Sequence, residues 1–158
     1  MRLEISTTLD CPIDRVWQEL NTSRLLLRIV HPLVVFEPLT PHRLPTTWEV
    51  GRYQVRIWMF GVWPMGKQWI DISYPLANYT PEVREFHLRD NGTGEVIKRW
   101  DHLIMLRELP NKQTHYTDQL EVEAGLLTPV IWSYAQMFYR HRQRNWRRLV
   151  QTDFVYSF

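Results

Sequence analysis

A single cysteine, Cys11, is the whole of the thiol chemistry in this sequence of 158 residues. That excludes an internal disulfide and any zinc site built on a cysteine pair. Cys11 itself reads as packed and inert. Apolar runs are short as well: no stretch reaches about 18 residues, so no helical membrane span is expected. The opening Met1-Arg2-Leu3-Glu4-Ile5-Ser6 alternates at once and lacks an apolar signal core, which makes a cytoplasmic location the default expectation. The six histidines show no i, i+4 pair and no cysteine partner, so neither metal nor other cofactor is expected. One basic segment exists, with five arginines in residues 140–148, while the other 14 basic side chains face 17 acidic ones. A single such segment does not make a nucleic-acid-binding domain. Macrodipole stabilisation at a helix C-terminus explains Arg147 and Arg148, and an anionic partner for the strip is the alternative.

Large rings are plentiful. The chain carries eight Trp and seven Tyr and is 44% hydrophobic, which is enough for one core and for the walls of a ligand cavity. The length is that of one ordinary domain, here 1–158.

The periodicities give an order of elements. Residues 2–9 alternate as a half-buried strand. Pro12 opens a helix with Ile13, Val16, Trp17 and Leu20 on one face, and a second short helix runs from Ser23 to Ile29. Strands are expected over 33–39, 46–60, 67–74, 82–90, 95–109 and 113–124. Asp90-Asn91-Gly92-Thr93-Gly94 predicts a hairpin turn, and Pro110-Asn111-Lys112 joins the last two strands. Short turns between consecutive strands predict an antiparallel meander. Thr128 is placed to cap a helix that opens at Pro129 and runs unbroken to about Thr152, roughly 35 Å at about 1.5 Å per residue.

The fold class is therefore α+β: a bent antiparallel sheet of about seven strands around a long C-terminal helix, with two short helices after the first strand. At this point the chain resembles the START-like helix-grip superfamily, SRPBCC, which includes polyketide cyclases and the plant pollen-allergen family. The resemblance covers nearly the whole chain. It rests on Ile5-Ser6-Thr7-Thr8-Leu9-Asp10-Cys11-Pro12-Ile13-Asp14-Arg15-Val16-Trp17, on Trp100-Asp101-His102, on Thr117-Asp118, on Gly125 and on Phe138-Tyr139-Arg140. Cys11 stands where the superfamily usually has alanine. The resemblance implies a cavity between sheet and helix. It leaves the activity open, because transport, binding and catalysis share this scaffold.

Strand and helix periodicity then assign the faces. Tyr53, Val55 and Ile57 on one strand, Trp100 and His102 on another, and Tyr116 and Asp118 on the last should point inward. A helical wheel puts Phe138 on the apolar side of the long helix and Arg142 near its middle. These nine residues are the candidate ligand-binding set. His102 and Asp118 are also the candidates for acid–base catalysis. A buried ion-pair network with no further role explains His102, Asp118 and Arg142 equally well. Trp48, Trp58, Trp63 and Trp69 surround the middle turn and suggest a lid, an interface or a second packed core.

Three functions are open on this reading. The first is binding of a small, mostly hydrophobic molecule with a polar end. The second is a cyclase- or dehydratase-like enzyme using His102 and Asp118 in the same cavity. The third is an interaction protein using the Arg-rich helix or the Trp-rich turn. A homodimer is left open.

Overall fold

The structure, a computed structural model, describes residues 1–76 and 82–157. Seven strands form one antiparallel sheet: β1 (Arg2–Leu9), β2 (Val34–Thr40), β3 (Gly51–Met59), β4 (Trp63–Ser73), β5 (Glu85–Gly94), β6 (Arg99–Leu109) and β7 (Gln113–Glu123). Their spatial order is β1-β7-β6-β5-β4-β3-β2, so all strands but the first follow each other as a meander and β1 closes onto β7. Two short helices, α1 (Ile13–Leu20) and α2 (Ser23–Val30), follow β1, and α3 (Thr128–Gln151) ends the fold. Among the described residues no helix is long and apolar enough to cross a membrane.

Local chemistry accounts for the boundaries. Pro12 precedes α1, and the Thr22 hydroxyl caps α2 by accepting from the Leu25 amide at 3.2 Å. Thr128 acts differently from its expected capping role. Its hydroxyl donates to the Gly125 carbonyl and accepts from the Ala124 amide, so it braces the turn before α3. The helix runs unbroken past Tyr139 and packs across β1, β7 and α2.

The inner face of the sheet reads as alternation requires. On β6 His102, Ile104 and Leu106 are buried, and on β7 Tyr116, Asp118, Leu120 and Val122 are buried. From α3, Ile131, Ala135, Phe138, Tyr139, Trp146 and Leu149 meet them. Trp146 and Tyr139 lose all solvent contact, and burial of this kind contributes about 1.5–3 kcal/mol per large side chain.

Two expectations about the strands are corrected. The segment 46–50 is not strand: β3 starts at Gly51, and Trp48 folds back onto Tyr53 with ring centroids 5.2 Å apart. The segment Asp90–Gly94 is not a turn but the end of β5, and the chain reverses after it, before β6 starts at Arg99. The glycines there serve close approach. A Cβ on Gly92 would lie 2.8 Å from the Trp69 carbonyl oxygen, and one on Gly94 would lie 2.7 Å from that of Lys67. Both glycines let β4 and β5 touch backbone to backbone. Asp90, the last residue of the expected strand, pairs in the sheet opposite His102, and the strand continues beyond it to Gly94.

The four tryptophans near the middle turn do not form one cluster. Trp58 donates to Glu37 at 3.0 Å, Trp69 stacks under Arg52, and Trp48 packs on Tyr53. Trp63 alone stands at the edge of the interior space described next.

Candidate functional site

Between the concave face of the sheet and α3 lies a cavity of about 510 Å³. Its walls are apolar: Val55, Ile57, Ile70 and Trp100 from the sheet, Ile131 and Phe138 from the helix. Its rim is apolar too, with Trp63 68%, Leu127 52% and Val130 67% exposed. The polar side chains on the lining are few, and β-strand geometry gathers them. Asp90 and His102 are cross-strand partners on β5 and β6. The His102 ring lies 4.8 Å from that of Tyr139, and the Arg142 guanidinium sits 5.4 Å from the Tyr139 ring centre. Gln68 also lies on the lining, as does Tyr134, whose hydroxyl donates to the Leu33 carbonyl at 2.9 Å.

Behind this floor is a buried carboxylate, Asp118, with 0% exposure. Its Oδ1 accepts from the Tyr116 hydroxyl at 3.0 Å and lies 2.8 Å from His102 Nε2. Its Oδ2 accepts from Gln143 Nε2 at 3.0 Å. Arg142 Nη2 donates to the Tyr116 hydroxyl at 3.0 Å and stands 3.6 Å from Asp118 Oδ1. Burial alone would push the Asp118 carboxyl up, but Arg142, His102 and Gln143 together hold it below its ordinary range. Burial lowers the pKa of His102 against the opposing hydrogen bond to Asp118. At neutral pH the pair is therefore carboxylate and neutral imidazole. Nε2 then carries the proton and donates to Asp118, which leaves Nδ1 as an acceptor. Asp90 is the opposite case: burial raises its pKa to about 7, against a hydrogen bond from the Asp71 amide.

Of the nine candidate residues, Val55, Ile57, Trp100, His102, Phe138 and Arg142 lie on the cavity wall. Tyr53, Tyr116 and Asp118 face the same side of the sheet but stand off the wall. Tyr53 is turned to Trp48 and to the Glu49 backbone, where its hydroxyl donates to the carbonyl at 3.1 Å. Tyr116 and Asp118 are not on the lining; Asp118 is hydrogen-bonded to His102, and Tyr116 accepts from Arg142.

Four polar residues escape the sequence reading, Gln68 on β4 among them. Asp90 is hidden by the turn-like composition around it. Gln143 follows Arg142 and, about 100° further round the helix, reaches the Ile5 carbonyl at 2.6 Å as well as Asp118. Tyr139, three residues before Arg142, shares its helix face, and that spacing is a signal by which it could have been found. Among the described residues no three His, Cys, Asp or Glu side chains are grouped to hold a metal ion.

No protein-family model matches the sequence, and no curated protein sequence matches it. Solved structures do. A START superfamily protein from Mycobacterium smegmatis superposes with a TM-score of 0.67 at 12% identity, covering 96% of this chain and 97% of its own. A Chromobacterium violaceum protein gives 0.63 at 16% identity over 94% of this chain and 96% of that one. An aromatase/cyclase from a Streptomyces species gives 0.52 at 17% identity over 97% and 92%. Likeness at such identities speaks for architecture, and it agrees with the strand order and the long closing helix: this chain has the START-like helix-grip fold.

Proposed function

We propose that this protein binds a small, mostly hydrophobic molecule with one polar end inside the cavity between sheet and α3. The observation that carries the reading is the contrast within the cavity. About 510 Å³ of space has apolar walls and a floor where Asp90, His102 and Arg142 meet. Sites for small organic molecules have this size and this economy of polar groups. The solved structures of like fold are compatible with it, since one is titled a START superfamily protein and one an aromatase/cyclase. An interaction protein whose cavity is collapsed would have no use for an open space of this size.

Native mass spectrometry of the protein as purified tests the reading. An adduct of a few hundred daltons that is lost on denaturation, and lost in a variant that fills the cavity (Ile131→Trp), is the expected result. A purified protein that takes up no apolar probe at all contradicts it.

One observation favours a second reading in which the bound molecule also reacts. His102 lies on the wall with Nε2 held by Asp118, so Nδ1 is the atom free to take a proton from a molecule in the cavity. Asp118 would then be a positioning residue that fixes the tautomer and stabilises the imidazolium. Loss of turnover in Asp118→Asn with binding retained would mark the enzyme. Equal binding and no turnover in either protein would leave the binding reading alone.

A further inference from the structure

Resting on the binding reading, the chemistry of the cavity floor defines what kind of polar end it accepts. On the cavity floor four side chains, Tyr139, Arg142, His102 and Asp90, have hydrogen-bonding capacity to spare. The Tyr139 hydroxyl and Arg142 Nε are buried donors without a partner. Arg142 otherwise spends its guanidinium on the Tyr116 hydroxyl and, at longer range, on Asp118. On the other side of the floor His102 Nδ1 is an acceptor, because Nε2 donates to the ionised Asp118. Beside it Asp90 accepts from the Asp71 amide with one oxygen, Oδ1, and keeps the other. Asp90 is half-buried and lies on the cavity wall.

The floor is thus divided: donors on α3 at Tyr139 and Arg142, acceptors on β5 and β6 at Asp90 and His102. A carboxylate can only accept. Placed here it satisfies the α3 side and sets its charge against Asp90 and the His102 lone pair. An ammonium can only donate and is set against Arg142. The charge of Arg142 is already matched by Asp118, so no net cationic site remains for an anion.

We infer that the cavity selects an uncharged lipophile whose polar end carries a hydrogen-bond acceptor and a donor together, of the hydroxy-carbonyl class. Its carbonyl oxygen accepts from Arg142 and Tyr139, and its hydroxyl donates to the Asp90–His102 pair. Such a molecule supplies the orphaned donors on α3 with an acceptor.

Displacement of the neutral dye N-phenyl-1-naphthylamine at pH 8 tests this with four probes of one chain length: 1-hydroxy-2-dodecanone, 2-dodecanone, 1-dodecanol and dodecanoate. The hydroxyketone should displace the dye at roughly tenfold lower concentration than the ketone or the alcohol, the factor that one lost hydrogen bond carries, and dodecanoate should be weakest. In Asp90→Asn, which removes the negative charge and keeps the volume, the preference for the hydroxyketone over dodecanoate should shrink about tenfold. Dodecanoate binding as tightly as the hydroxyketone, or four equal affinities, overturns the inference and leaves the binding reading standing. A folded protein, verified by circular dichroism, that takes up no dye overturns both.

Discussion

The pairing of Arg142 with Asp118 makes a quantitative prediction. Both side chains are buried, at 4% and 0% exposure, and their nearest charged atoms are 3.6 Å apart. Arg142→Met removes the cation and keeps most of the side-chain volume. Asp118 is then left with its hydrogen bonds from His102, Tyr116 and Gln143 but without the charge that most strongly opposes its desolvation. Breaking a buried pair in this way costs about 3–5 kcal/mol. Asp118→Leu should cost at least as much, because arginine cannot shed its charge and three further donors lose their acceptor. The double variant should recover much of the loss, with a coupling energy of at least about 2 kcal/mol. The pH dependence has a defined sign. Arg142 is one of the causes that depress His102, so in Arg142→Met the imidazole can protonate and supply Asp118 with a new cation. The cost of the substitution should therefore be smaller at pH 5.5 than at pH 8. Denaturant unfolding of the four proteins at both pH values measures all of this. Additive single costs, with no recovery in the double variant, would refute the pairing as the reason Arg142 is tolerated inside the fold.

Three further outcomes are expected. Asp90 titrates at about 7 in the folded chain against roughly 3.9 unfolded, so between those values the native state holds a proton that the unfolded state has lost. Wild-type stability carries a penalty from this group that grows as pH rises from about 4 to 7, up to about 4 kcal/mol, and Asp90→Asn should gain on the wild type over that window; equal differences at pH 4.5 and 8 would show that Asp90 does not titrate there. Tyr139→Phe deletes a buried hydroxyl that has no partner and should stabilise the empty protein by about 1 kcal/mol, visible as a raised melting temperature. Gly92→Ala places a methyl group 2.8 Å from the Trp69 carbonyl and should destabilise by about 1–3 kcal/mol; an unchanged melting temperature would mean that β4 and β5 are not held at that distance.

What the sequence determined by itself is what depends on period. Alternation on the last two strands puts His102, Tyr116 and Asp118 on the inner face, because a strand has only two faces and one of them here is apolar. The wheel of α3 puts Arg142 inside among apolar neighbours for the same reason, and the outward Arg140, Arg144 and Arg148 follow from it. Local composition served less well where it carries two meanings. Asn91-Gly92-Thr93-Gly94 has the residues of a turn, yet its glycines are there to admit a neighbouring backbone, and only the presence of β4 beside them distinguishes the two. That ambiguity concealed Asp90. Depth along an inward-facing strand was beyond reach as well. Tyr53 and Val55 share a face, but Trp48 folds over the first and the cavity opens at the second. Asp118 and His102 share a face across two strands, but only His102 reaches the open space. Which inward residue touches a cavity and which supports it from behind is set by where α3 crosses the sheet, and that crossing is a property of the packed whole.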